Sequence, residues 1–150
     1  MLAFRHLSMN YEDAKLRLET WNRVLERIHT FFRSRGFLEA HTPLLVASPG
    51  MEPNLDPLAV TLKTLNDGER EVRAGLITSP EYSMKKMLGM GFEALYTVTP
   101  VFRNKELLGK RWSIEFTMLE WYRQGADYTK CMEETEGLIN EVLGWEGKWD

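Results

Sequence analysis

Arg103 closes an alternating run that begins at Thr97, and a second run a short loop later carries Glu115, Phe116, Thr117, Glu120, Trp121 and Tyr122. A guanidinium is planar, permanently charged and able to fork onto phosphate oxygens. Beside an α-phosphate it would offset the charge that develops as a nucleophile attacks. The carboxylates and aromatic rings of the second run suit an ammonium-bearing small molecule, and Phe116 offers an apolar face to adenine. The chemistry implied is adenylate formation.

For these residues to meet, the two runs must be strands. Successive side chains of a strand point to opposite faces, so Phe116, Met118, Glu120 and Tyr122 share one side and Glu115, Thr117, Leu119, Trp121 and Arg123 the other. Both sides hold apolar residues, which predicts a central, covered strand with Glu120 at least partly buried. No cation stands two residues either side of Glu120 on its own face. A buried carboxylate is costly without a partner. A cationic ligand would satisfy it, and so would an arginine or backbone N–H groups from elsewhere in the chain.

Other elements must frame this pair. Asn10 and Asp13 offer caps for a long helix, and Leu18, Trp21, Leu25, Ile28 and Phe32 recur at the steps of one apolar face before Gly36 ends it. Phe37 to His41 reads as a strand stopped by Pro43, and Ala47 to Pro57 as a loop. Leu58, Val60, Leu62 and Leu65 start a strand that Asn66-Asp67-Gly68 turns back into Glu69 to Arg73. Ser79 as N-cap with Pro80 at the first helical position begins a helix that Gly91 ends, with Met84, Met87, Leu88 and Met90 in its core face. Glu81 falls in its first turn, where the helix dipole favours a carboxylate that could receive an ammonium. The segment from Asp127 reads as a capped helix with Met132, Leu138, Ile139, Val142 and Leu143 on its apolar side, followed by a short tail from Gly144 to Asp150.

A chain of 150 residues with 43% hydrophobic and 27% charged residues has the composition of one globular domain, spanning 1–150. No apolar run reaches the length of roughly 18 residues that a membrane helix needs. The opening residues are too polar for a signal peptide, so a cytoplasmic setting is expected. The single cysteine, Cys131, leaves no internal disulfide, and three histidines give no zinc-ligand spacing, so no metal ligand is assigned. Lysines and arginines are dispersed at a net charge of -3, which argues against a broad nucleic-acid footprint.

Three blocks, in order, resemble the first half of a class II aminoacyl-tRNA synthetase catalytic domain of the lysyl branch. Phe31 to Pro43 resembles the dimer-forming first motif, Val101 to Tyr122 the second motif, and Leu76 to Leu88 the amino-acid-binding segment between them. Within that branch the chain resembles the stand-alone paralogues that ligate lysine to elongation factor P, because only a few residues precede the first motif, where lysyl-tRNA synthetases carry an anticodon-binding domain. The resemblance implies an α+β fold, an antiparallel sheet flanked by helices, and a homodimer joined through the helix before Gly36 and the strand after it. It also implies ATP and magnesium as cofactors, with lysine or β-lysine activated as an adenylate for transfer to a lysine of elongation factor P. tRNA and membranes are not expected partners.

By the same resemblance Arg103 grips the α-phosphate as the electrostatic catalyst, and Phe116 stacks on adenine. Asn104, Lys105, Glu106 and Ser113 complete the ATP site, with Glu106 as the acceptor for the adenine amino group since Lys105 has no acceptor to offer. Ser79, Glu81, Glu120 and Tyr122 line the pocket for the lysine-like substrate. The chain departs from the pattern at Trp112-Ser113-Ile114, where the family usually has His-Asn-Pro. No third motif follows Asp127, so the magnesium ligands are expected in a missing second half and independent turnover is not expected. A lysyl-tRNA synthetase fragment and an inactive binding or dimerisation module are the alternatives.

Overall fold

The computed structural model describes residues 10–64, 70–105 and 113–144. Nine elements follow in order: α1 (Tyr11–Ser34), β1 (Leu38–Glu39), β2 (Leu45–Val46), β3 (Ala59–Thr64), β4 (Arg70–Leu76), α2 (Glu81–Gly89), β5 (Ala94–Phe102), β6 (Glu115–Arg123) and α3 (Tyr128–Leu143). They divide into two compact units, one of Met1–Leu38 with Arg123–Asp150, the other Glu39–Tyr122.

The first unit is built on α1 and α3. Asn10 caps α1 by accepting from the Asp13 amide at 2.9 Å, which satisfies one of the donors a helix start leaves over. At its other end Gly36 takes φ 79°, a left-handed value that a residue with a Cβ adopts only at a cost. Phe31 and Phe32 are the buried residues of α1 and meet edge to face at 5.2 Å, and Phe32 meets Phe37 at 5.0 Å. A Cβ on Gly137 of α3 would lie 3.3 Å from the Phe31 ring, so the small residue admits the aromatic. Arg27 donates to the carbonyls of Glu141 at 3.2 Å and Val142 at 2.8 Å, capping the end of α3 where Gly144 turns left-handed at φ 65°.

The same unit holds a charge pair the periodicity does not announce. Glu134 is buried, and Arg123 Nε donates to its Oε1 at 2.6 Å. The guanidinium lies 4.3 Å from the Phe37 ring centroid and also reaches the Arg35 carbonyl at 3.3 Å. Of the apolar side expected for α3, only Leu138 is buried as hydrophobic core, whereas Met132, Ile139 and Leu143 are exposed. The α1 stripe likewise runs from exposed Leu18 and Trp21 to fully buried Phe32. Periodicity identifies which residues share a face but not whether anything covers it.

The second unit carries two three-stranded sheets, ordered β1-β5-β6 and β2-β4-β3. β3 and β4 form an antiparallel hairpin in register from Ala59↔Gly75 to Thr64↔Arg70, and β2 pairs antiparallel with β4 through Leu45↔Leu76. The turn residues Asn66-Asp67-Gly68 lie outside the described residues. Gly75 admits the loop before β3, since a Cβ there would sit 2.7 Å from Pro49 Cγ. The core between helix and sheet is Ala40, Met84 and Leu95 with Met87, Leu88 and Tyr122 packed on it.

Several local expectations are corrected. The strand predicted from Phe37 to His41 shortens to Leu38–Glu39. The N-cap of α2 is Pro80 rather than Ser79, and no side chain caps that helix. Met90 falls just past the end of α2 and is 77% exposed, so it belongs to the turn and not the core. Among the described residues β5, not β6, is the central strand of its sheet. Two-sided apolarity in β6 reports what lies above and below the sheet, which is a different matter from having neighbours on both edges.

Candidate functional site

The candidate residues lie just after β5, along β6 and in the first turn of α2. Backbone bonds fix the place: the Phe102 amide donates to the Ile77 carbonyl at 2.8 Å, Arg103 to Ile114 at 2.9 Å, and Asn104 to Asp56 at 2.7 Å. Three segments distant in sequence are thereby tied around Arg103. Its Nε donates to the Thr78 carbonyl at 3.3 Å, and its guanidinium lies 5.2 Å from the Phe116 ring centroid. That anchoring uses Nε and not the fork of terminal nitrogens, which is the part of the group suited to a phosphate.

Along the same face of β6, Tyr122 donates its hydroxyl to Glu120 Oε1 at 2.6 Å. Burial pushes the Glu120 carboxyl above its ordinary range; the Tyr122 bond opposes this, Glu81 adds to it, and Lys85 and Arg103 reduce it. The Tyr122 hydroxyl is pushed up as well, by burial and by its bond to Glu120. Arg103 and Glu120 therefore act on one another within a single cluster. Glu81, in the first turn of α2, receives Lys85 Nζ at 2.6 Å, and that ammonium stands 6.0 Å from the Tyr122 ring centroid. The bond to Glu81 holds the Lys85 amine above its ordinary value.

The remaining predicted residues divide. Ser79 and Ser113 are half-buried. Asn104 forms an isolated bridge with Asp56, and Lys105 takes a left-handed backbone at φ 56° with its ammonium paired to the Asp56 carboxylate. Lys105 is thus occupied by a protein carboxylate. Glu106 and Trp112 lie outside the described residues. Two residues paired with the candidate side chains were not singled out from the sequence, Lys85 and Asp56. Lys85 was legible as the i+4 partner of Glu81, a spacing at which opposite charges meet on a helix. Asp56 gave no such signal, because a loop residue's partner across 48 positions is set by the fold alone.

The arrangement offers a phosphate-type fork and an aromatic face at one end, and two carboxylates with a phenol at the other. Comparison with known proteins gives the family. The family model for class II tRNA synthetases of the D, K and N type matches residues 1–145. An elongation factor P--(R)-beta-lysine ligase homolog of Aquifex aeolicus is 41% identical over 128 residues, covering 85% of this chain and 42% of the relative. The elongation factor P--(R)-beta-lysine ligase of Buchnera aphidicola subsp. Schizaphis graminum is 34% identical over 83% of this chain and 38% of its own length. The ligase of the same name from Mannheimia succiniciproducens is 37% identical over 86% of this chain and 39% of its own length. The chain spans about two-fifths of the length of the curated relatives it matches. With a mixed α/β domain of sheets and three helices, it belongs to the class II tRNA synthetase family.

Proposed function

We propose that this chain supplies the nucleotide and amine pockets of a ligase that activates lysine or β-lysine as an adenylate and passes it to a lysine of elongation factor P. The observation that supports the reading is the Arg103 guanidinium 5.2 Å from the Phe116 ring centroid, with Tyr122 donating to Glu120 farther along the same strand at 2.6 Å. In the reaction a substrate carboxylate oxygen bonds to the α-phosphorus of ATP and pyrophosphate leaves. No side chain need act as nucleophile. Arg103 offsets charge on the α-phosphate, and Phe116 holds the adenine so that the two reactants meet in line. Glu120, Glu81 and Tyr122 hold the ammonium end, which orients the carboxylate toward Arg103. Ser79, Asn104 and Ser113 line the edges, and Glu106 is the acceptor for the adenine amino group.

Magnesium accompanies ATP in such domains, where it neutralises the phosphate charge. Among the described residues no group of three or more carboxylate, histidine or cysteine side chains could hold a metal ion.

The reading is tested by ATP binding to this chain by calorimetry, and by lysine- and β-lysine-dependent exchange of pyrophosphate into ATP in a ligase of the relatives' full length that carries it, in wild type and Arg103→Ala. Removing one donor to developing charge costs about 100- to 1,000-fold in rate. Arg103→Ala is expected to lose exchange by that factor and to weaken ATP. Equal exchange and equal ATP affinity in the two proteins would remove Arg103 from the site.

A further inference from the structure

Lys85 places a charge inside the cluster that the amine-pocket reading does not use. Its ammonium lies 2.6 Å from Glu81, faces the Tyr122 ring at 6.0 Å, and acts on Glu120. An ammonium on a four-carbon stem, paired with a carboxylate and beside an aromatic face, is chemically what a lysine-like substrate presents to the same groups. We propose that Lys85 is an internal stand-in for the substrate ammonium: it occupies Glu81 in the amine-free pocket, gives that carboxylate up when an alkylammonium ligand reaches Glu120, and so sets which cations the pocket accepts. The proposal rests on the amine-pocket reading given above.

Two physical features support the exchange. The Lys85 and Glu81 side chains are 58% and 37% exposed, so water screens the pair and Lys85 can swing out to solvent at little cost. The tether nevertheless keeps its ammonium next to Glu81 at a local concentration on the order of millimolar or more, as any short intramolecular link does. A small inorganic cation offers Glu81 nothing that Lys85 does not. A ligand whose ammonium also reaches Glu120 gains a carboxylate contact that Lys85, fixed to α2 four residues from Glu81 and paired with it, does not make. Lys85 is therefore a specificity-determining residue and not a catalytic one.

The experiment compares wild type, Lys85→Met and Lys85→Arg in the full 150-residue chain by calorimetric titration. The probes are L-lysine, 1,5-diaminopentane, which lacks a carboxylate, and methylammonium as competitor. Lys85→Met should bind L-lysine and the diamine about two- to fivefold more tightly, the range a screened ion pair spans, and methylammonium should now compete. Lys85→Arg should behave as wild type. A carboxyl-carbon NMR titration of Glu120, which faces Tyr122 on β6, Arg103 after β5, and Glu81 and Lys85 on α2, should move to higher pH in Lys85→Met, since a cation near it is gone. Weaker lysine binding with unchanged diamine binding would make Lys85 a carboxylate anchor and overturn the proposal. Unchanged affinities in all three proteins, or an unmoved Glu120 titration, would overturn it too. Wild type that binds neither L-lysine nor the diamine sinks the amine-pocket reading itself, and the exchange with it.

Discussion

Glu120 shows how one residue carries both a cost and a use. Burial lifts its pKa above the ordinary glutamate value of 4.5, so the folded chain holds that proton more tightly than the unfolded chain does. Stability from this group is accordingly present at low pH and is lost as pH rises from the ordinary value through the raised one. Glu120→Gln has no proton to release. Its stability relative to wild type should grow across that window and then stay level, as read from urea midpoints between acid and neutral pH, while lysine binding falls. A constant difference at every pH would show that the carboxyl is not perturbed. The sequence showed that Glu120 shared a face with Tyr122 and needed a partner, because strand alternation is a local rule. It did not show that the partners would be the Tyr122 hydroxyl, Lys85 and Arg103, since two of those arrive from other elements.

At the level of elements, α1 and its caps were legible because Asn10, the repeating apolar residues and Gly36 act through nearest neighbours along the chain. The β3–β4 hairpin was legible from its alternation for the same reason. What was not legible was which faces find cover. In α3 the expected apolar side is largely exposed, and the anchor is instead Glu134, 6% exposed at its side chain, paired with Arg123 at 29%. Taking away one partner of a buried pair strands the other charge. Glu134→Ala should therefore destabilise the unit of α1 and α3 by about 3 kcal/mol, near the low end for such pairs because Arg123 keeps some water. Chemical denaturation followed by far-UV circular dichroism measures it. A loss indistinguishable from that of an exposed glutamate would mean that the pair holds nothing together.

For the molecule as a whole, the family reading implies self-association through α1, and the exposed Leu16, Leu18 and Trp21 supply an apolar strip for it. Leu18→Asp combined with Trp21→Asp should convert a dimer to a monomer in sedimentation. Each change is on an exposed side chain, so the stability of the separate chain should shift by no more than about 0.5 kcal/mol per site. Sedimentation unaltered by both substitutions would place any association elsewhere. Fold class and family were readable over nearly the whole length because three short blocks stood in the right order, even though no block positions its residues by itself.

The amide bonds from Arg103 to Ile114 and from Asn104 to Asp56 have a further result. They fasten both banks of the connection between β5 and β6, like abutments that stand whatever span is thrown between them. The guanidinium thus takes its bearing on Phe116 from strand ends that are themselves tied down.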